Sequence, residues 1–308
     1  MQATQRSKKG IPIFFIALTV LAVARVFLHS VEVPLWAVPI SNVLMCEVFL
    51  GVPLLALCYA AQDNWTRKTA LLFFAGGVIV HATCVYATKS ALHHPDTLYQ
   101  VVGAIGQIGL MVWCVGLGAW LATLIKDQNL VVPIAIFLAC LDMFLVFSPF
   151  GMTQLVLKEA PGVLPAIGAQ IPTVASNDPQ MRKVSAGSFA GPADFMFLAM
   201  FMVALFRFNL KARRTVMVVI PVLLSYMLIV GLTGLALPAL LPIGACVLIV
   251  NWKDFKLSKD EKWSTALVAA LGVGLFTWGM LQKPKKLVQY VPTPPGASQP
   301  HPKSRRSP

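Results

Sequence analysis

What most restricts this chain is its succession of about nine apolar stretches, each near the length of a bilayer-crossing helix. They fall near residues 11–30, 37–60, 68–88, 98–125, 130–149, 190–208, 215–235, 237–251 and 263–281. A spanning helix needs roughly 20 apolar residues, because lipid offers unpaired backbone groups no partner. Composition agrees: 57% of the 308 residues are hydrophobic and 12% are charged, about half the charged share of a soluble domain. The expected fold class is therefore an all-α polytopic membrane protein of about nine transmembrane helices. Its divisions are four N-terminal spans in 1–129, a central unit in 130–251, an additional C-terminal span in 252–282, and a disordered, basic, Pro-rich tail in 283–308.

The net charge of +13 sits in loops and tails, as membrane proteins keep it. With no soluble domain to present a basic face, no nucleic-acid partner is expected. Basic loops follow the sixth span (Arg207, Lys211, Arg213, Arg214) and the eighth (Lys253, Lys256, Lys259, Lys262). The N-terminus and the loop carrying Arg67 and Lys68 are also basic. With nine spans all four lie on one side, and the positive-inside rule makes that side cytoplasmic. The tail, with Lys283, Lys285 and Lys286, is the exception. The expectation is a multi-pass protein with a cytoplasmic N-terminus, in the cytoplasmic membrane of a prokaryote or an endomembrane of a eukaryote. Arg6, Lys8 and Lys9 before the first apolar run resemble a signal peptide, but no clear small-residue cleavage site follows. The run reads as an uncleaved helix. Asn64-Trp65-Thr66 matches a glycosylation sequon by chance, since this topology puts it in the cytoplasm. Six cysteines lie in apolar stretches without metal-ligand spacing and read as packing residues.

Ionisable residues inside spans are costly and each needs a reason. They are Arg25, Glu47, His81, Asp142 and Asp194. Arg25 and Glu47, on helices joined by a short loop, are expected to pair. His81 reads as a satisfied packing residue. Asp142 and Asp194 have no basic partner on their own helices. They lie on antiparallel helices, on either side of a loop over 150–189, which brings both carboxyls to similar depth, roughly 10 Å in. From the residues alone, an ion or proton site accounts for such a pair as well as catalysis does.

Local motifs add to this. The fifth span reads Leu141-Asp142-Met143-Phe144-Leu145-Val146-Phe147. The sixth opens Gly191-Pro192-Ala193-Asp194-Phe195, and the eighth opens Leu237-Pro238-Ala239-Leu240. In this order the three resemble the presenilin and signal peptide peptidase family of intramembrane aspartyl proteases, whose motifs are Tyr-Asp, Gly-x-Gly-Asp and Pro-Ala-Leu. The run after Asp142 and the basic stretch after the sixth span look closer to signal peptide peptidase. The resemblance covers about 138–251. Leu141 stands in place of the tyrosine and Ala193 in place of the glycine before the second acid.

The resemblance implies a presenilin-like catalytic core in 130–251, with Asp142 and Asp194 as catalytic acids. It implies that Pro238, Ala239 and Leu240, with Gly191, Ala193 and part of the inter-acid loop, hold an unwound substrate as an extended strand. Substrates would be transmembrane helices such as remnant signal peptides or type II segments. No metal or organic cofactor is required, because two carboxyls sharing one proton supply both base and acid. Lipid is the surrounding partner; oligomeric state is not legible. Two other readings remain open: a proton- or cation-coupled transporter or channel using the same acids, and a non-catalytic relative that binds transmembrane helices.

Overall fold

The computed structural model describes residues 9–28, 31–90, 97–148, 164–172, 175–176, 189–233 and 237–281. Nine main helices lie among them: α1 (Gly10–Leu28), α2 (Val38–Ala60), α3 (Arg67–Ser90), α4 (Thr97–Leu124), α5 (Val131–Phe147), α6 (Pro192–Arg207), α7 (Ala212–Thr233), α8 (Leu240–Asn251) and α9 (Lys259–Leu281). Each overlaps one of the nine apolar runs. Proline opens α6 at its first position, where the missing N–H is no loss. Just past the end of α6, Asn209 lies in the left-handed region at φ 54°, and the Leu210 N–H turns back to the Leu205 carbonyl at 2.9 Å. Asparagine tolerates that conformation better than most side chains. Ser258 and Glu261 form a capping box before α9. The Glu261 carboxylate accepts the Ser258 N–H at 2.6 Å, and Ser258 Oγ accepts the Glu261 N–H at 3.3 Å. The Ser258 N–H and the Asn129 amide hold the Glu261 carboxylate below the usual range.

Among the described residues six segments are long and apolar enough to cross a membrane: α1, α2 with the turn before it, α3, α4, α5 with the turn before it, and α7. Their outward faces carry large exposed apolar side chains such as Ile16, Ile40, Leu72, Ile79 and Met217. In water such surfaces would aggregate; in lipid they need no cover. α6 has 16 residues and α8 has 12. α6 is enclosed, with Leu198, Ala199, Phe201, Met202, Ala204 and Leu205 fully buried.

α3 pairs with α4, α4 with α6, α5 with α8 and α9, and α7 with α2 and α8. Small residues set the closest approaches. At Gly118 an added Cβ would stand 2.3 Å from the Met196 carbonyl, so α4 and α6 nearly touch backbone to backbone. At Gly272 it would stand 2.6 Å from Cys140 Cβ, so α9 lies directly on α5. Phe144 and Trp278 extend that seam with rings stacked 6.2 Å apart.

The basic loops gather at one end of the bundle. Arg207 Nη1 donates to the Ala122 and Ile125 carbonyls at 2.8 and 3.0 Å, closing the end of α4. Lys211 pairs with Asp254 at 2.7 Å. Buried Asn251 accepts the Lys211 N–H at 2.9 Å and donates to Thr215 Oγ1 at 3.0 Å. At the N-terminus, Ile11 N–H donates to Asp63 at 2.6 Å. This is the grouping the charge pattern predicts.

Most of the inter-acid loop over 150–189, and the tail from 283, lie outside the described residues. What is described of the loop enters the bundle. A helical turn at Leu164–Ile167 leads to strand β1 (Ala169–Gln170), which pairs antiparallel with β2 (Phe189–Ala190). Ala175–Ser176 pairs in parallel with Glu32–Val33, in the α1–α2 connection. Arg25 does not pair with Glu47: its guanidinium donates to the Gln170 carbonyl at 3.1 Å and to Gln170 Oε1 at 2.7 Å. Packing of the inter-acid segment against α1 puts two oxygens of one residue within reach of the planar fork. His81 is satisfied, as expected, though by two carbonyls rather than by apolar packing.

Candidate active site

Two helix N-termini build the site. Gly191 is the N-cap of α6, with Pro192 at its first position, which makes Asp194 the third residue. An acid there reaches back to the N-cap amide. The Asp194 carboxylate meets the Gly191 backbone in this way, and its own N–H turns to the Gly191 carbonyl at 3.2 Å. Asp142, on α5, reaches the other N-terminus: Oδ2 accepts the N–H of Leu240, first residue of α8, at 2.8 Å. Both acids therefore sit where unpaired amides and the helix dipole favour negative charge. This explains how two acids stand in apolar helices with no basic partner among the described residues.

The charges of Asp142 and Asp194 are close enough to interact. Asp142 reaches the start of α8, which packs on α5 and touches α6. α5 and α6 themselves form no extended seam. Between those helices a cavity of about 460 Å³ opens, lined by Leu138, Ile134 and Leu130 on the α5 side, by Phe197 and Met200 of α6 and by Ile125; neither acid lines it. Its surface is almost wholly apolar.

The other sequence-predicted residues gather here to different degrees. Pro238 and Ala239 precede α8 and are buried, as is Leu240. Gly191 is exposed, and an added Cβ would stand 3.2 Å from Asp194 Oδ2. Ala193, directly before the acid, is also exposed. Gly191 is the position whose side chain would meet the carboxylate.

Sequence reasoning passed over Tyr226. Its hydroxyl donates to the Pro238 carbonyl at 2.7 Å, and both acids lie within electrostatic range of it. A tyrosine within the apolar run Leu223-Leu224-Ser225-Tyr226-Met227-Leu228 was the available signal, because a buried phenol needs a partner. Cys114 Sγ contacts the Pro192 carbonyl at 3.4 Å, fixing the start of α6 against the middle of α4. From that level α4 runs 17 more residues back to Thr97, about 25 Å of helix. The acids are thus recessed farther than the end of α5 alone implies, with the inter-acid segment beside the longer part of α4.

Among the described residues no group of three or more histidines, cysteines, aspartates or glutamates is arranged to hold a metal. Comparison with family models, with curated proteins and with solved structures finds no match to this chain.

Proposed function

We propose that this chain is an intramembrane aspartyl protease that hydrolyses peptide bonds in transmembrane helices, with Asp142 and Asp194 as the acid pair. The observation that supports it most is the bond from Leu240 N–H to Asp142. It joins two of the three motifs that carry the resemblance, 98 residues apart in sequence, and Asp194 interacts with the same acid. In this reading all nine helices belong to the membrane and the N-terminus is cytoplasmic.

One proton is shared by the two carboxyls. The ionised acid takes a proton from water, which attacks the scissile carbonyl; the protonated acid polarises that carbonyl and then protonates the leaving amine. The pair acts as a unit, so neither acid is assigned a fixed role. A substrate helix must unwind to expose the bond, and its freed backbone groups need partners. The Pro238–Leu240 segment supplies an edge for them, and the apolar cavity below the acids accepts neighbouring side chains.

Tyr226 holds that edge in place. Tyr226→Phe deletes one neutral hydrogen bond, worth about 0.5–1.5 kcal/mol. Cleavage is expected to fall by roughly two- to tenfold with the fold intact. A wild-type rate in a cleavage assay shows that the Pro238 carbonyl needs no anchor.

Direction supplies the test of the whole reading. With the basic loops cytoplasmic, the acids and Pro238 open toward the opposite side. An aspartyl site reads backbone direction, so substrates with a cytoplasmic N-terminus are preferred. Two test helices of identical core sequence are inserted in opposite senses into proteoliposomes with the purified protein, and fragments are identified by mass. Cleavage of the helix with the cytoplasmic N-terminus is expected. No cleavage of either helix overturns the reading, and preference for the opposite one overturns the topology.

A further inference from the structure

The cavity between α5 and α6 reaches the outer surface of the bundle. Leu124, Leu130 and Phe137 line it and are 43%, 41% and 40% exposed, on faces that meet lipid tails in a membrane. No polar side chain lines it, so water inside would find no partner. Left empty, its walls would lose the contacts that close packing supplies. At about 460 Å³ it has the size of a small-molecule site. It runs from Ile125 and Leu130, at the α4–α5 turn, to Leu138 and Phe197. From Leu130 to Leu138 is about 12 Å along α5. One leaflet of the hydrocarbon core is roughly 15 Å deep, half of about 30 Å. The cavity thus has nearly the depth of one leaflet's acyl chains.

Positive charge stands at the Ile125 end. Lys126 follows Ile125 in sequence and is exposed. Arg207 is exposed too, and it reaches the Ile125 carbonyl at 3.0 Å. Only Nη1 of its guanidinium serves the Ala122 and Ile125 carbonyls, and the rest of the fork suits a phosphate. The α8–α9 loop is tied to the same turn, since Asn129 Nδ2 donates to the Lys256 carbonyl at 3.1 Å, and it carries the exposed Lys256 and Lys259. The acids nearby are engaged. The Asp127 carboxylate accepts the Asn129 N–H at 2.7 Å, Glu261 accepts from Ser258 and Asn129, and Asp254 pairs with Lys211.

We propose that this cavity is a lipid site, taking one acyl chain of an anionic phospholipid from the leaflet on the basic-loop side, with the phosphate held by Arg207 and Lys126. Moving a tail from the bilayer into an apolar cavity gains little by itself, because both surroundings are apolar. The headgroup contacts therefore decide which lipid stays. A zwitterionic headgroup brings its own cation to this cluster and is held less well. The bound tail fills the space that keeps α5 and α6 from forming a seam, a wedge between the two helices that carry Asp142 and Asp194. Substrate side chains entering the cavity displace it; that step rests on the protease reading given above, and the lipid site does not.

The test uses the full chain in nanodiscs doped with phosphatidylglycerol or phosphatidylcholine bearing the same mid-tail diazirine. After photolysis the labelled peptides are mapped by mass. α6 is enclosed, so label on Phe197 or Met200 reports a tail inside the bundle. That label is expected to be roughly tenfold stronger with phosphatidylglycerol. Peptides holding Leu72 and Ile79, exposed on α3, should label alike with both lipids. Lys126→Gln and Arg207→Gln should each lower the excess by roughly fivefold. Arg207 also closes the end of α4, so if its variant does not fold, Lys126→Gln decides. Ile134→Trp, or Val268→Phe from α9, fills the cavity and should remove the α6 label while sparing that on α3. Equal α6 labelling by the two lipids, or an excess that survives Lys126→Gln, overturns the headgroup contacts. No α6 label in the wild type, or label that persists in both filling variants, overturns the site. None of these readouts needs cleavage, so the lipid site and the protease reading fail separately.

Discussion

Asp142→Asn and Asp194→Asn, each alone, are expected to lower cleavage by about 10⁴-fold or more, and the double variant no further, because catalytic groups that act together do not contribute additively. Asparagine is the informative replacement. Its side-chain oxygen can still accept the Leu240 N–H that Asp142 accepts at 2.8 Å, so the start of α8 keeps its cap. Only the ability to take and return a proton is lost. The fold should hold, since removing a charge from apolar surroundings lowers the cost of burial. The measurement is fragment yield from a test helix in proteoliposomes, alongside binding of the uncut helix and proton or cation flux. A protease loses cleavage and keeps binding. Loss of flux with no cleavage in the wild type identifies a transporter, and unchanged binding with no cleavage in any form identifies a non-catalytic binder. A single variant that still cuts near the wild-type rate removes the acid pair from the mechanism.

The largest expected effect on stability comes from Gly118→Val. Even a Cβ at this position meets the Met196 carbonyl at 2.3 Å, Ala199 Cβ at 2.8 Å and the Met200 nitrogen at 2.9 Å. Two of these contacts are backbone and cannot swing aside. α4 and α6 must separate, and valine separates them more than alanine. Overpacking of this kind costs at least the upper end of roughly 1–3 kcal/mol. Helices in lipid have no hydrophobic drive to close the gap again, because association there depends on close packing. The expected outcome is a melting temperature several degrees lower in detergent and weakened cleavage, since α6 carries Asp194. Gly103→Ala is the control: it meets nothing within 4 Å and should leave both quantities unchanged. Equal melting temperatures for Gly118→Val and wild type mean that the α4–α6 seam is not as tight as this geometry requires.

The sequence alone determined the helical architecture, because in lipid an apolar run of sufficient length has few alternatives to a helix. All nine runs became helices, and the basic loops gathered at one end as their charge pattern required. It also singled out Asp142, Asp194 and Pro238–Leu240, since acids in apolar helices and a proline-led helix start are visible without coordinates. What it did not contain was which groups satisfy which. Arg25 was assigned to Glu47 by nearness along the chain, yet it binds Gln170, 145 residues away. The closeness of Gly191 to the second acid, where an added Cβ would stand 3.2 Å from Oδ2, also came only with the turn of the helix N-terminus. Tyr226 and His81 gained their partners only when α7 met the start of α8 and the inter-acid segment entered the bundle. Hydrophobic length is a local property, legible one run at a time. A hydrogen-bond partner is set by the packing of several helices together, and no single run records it.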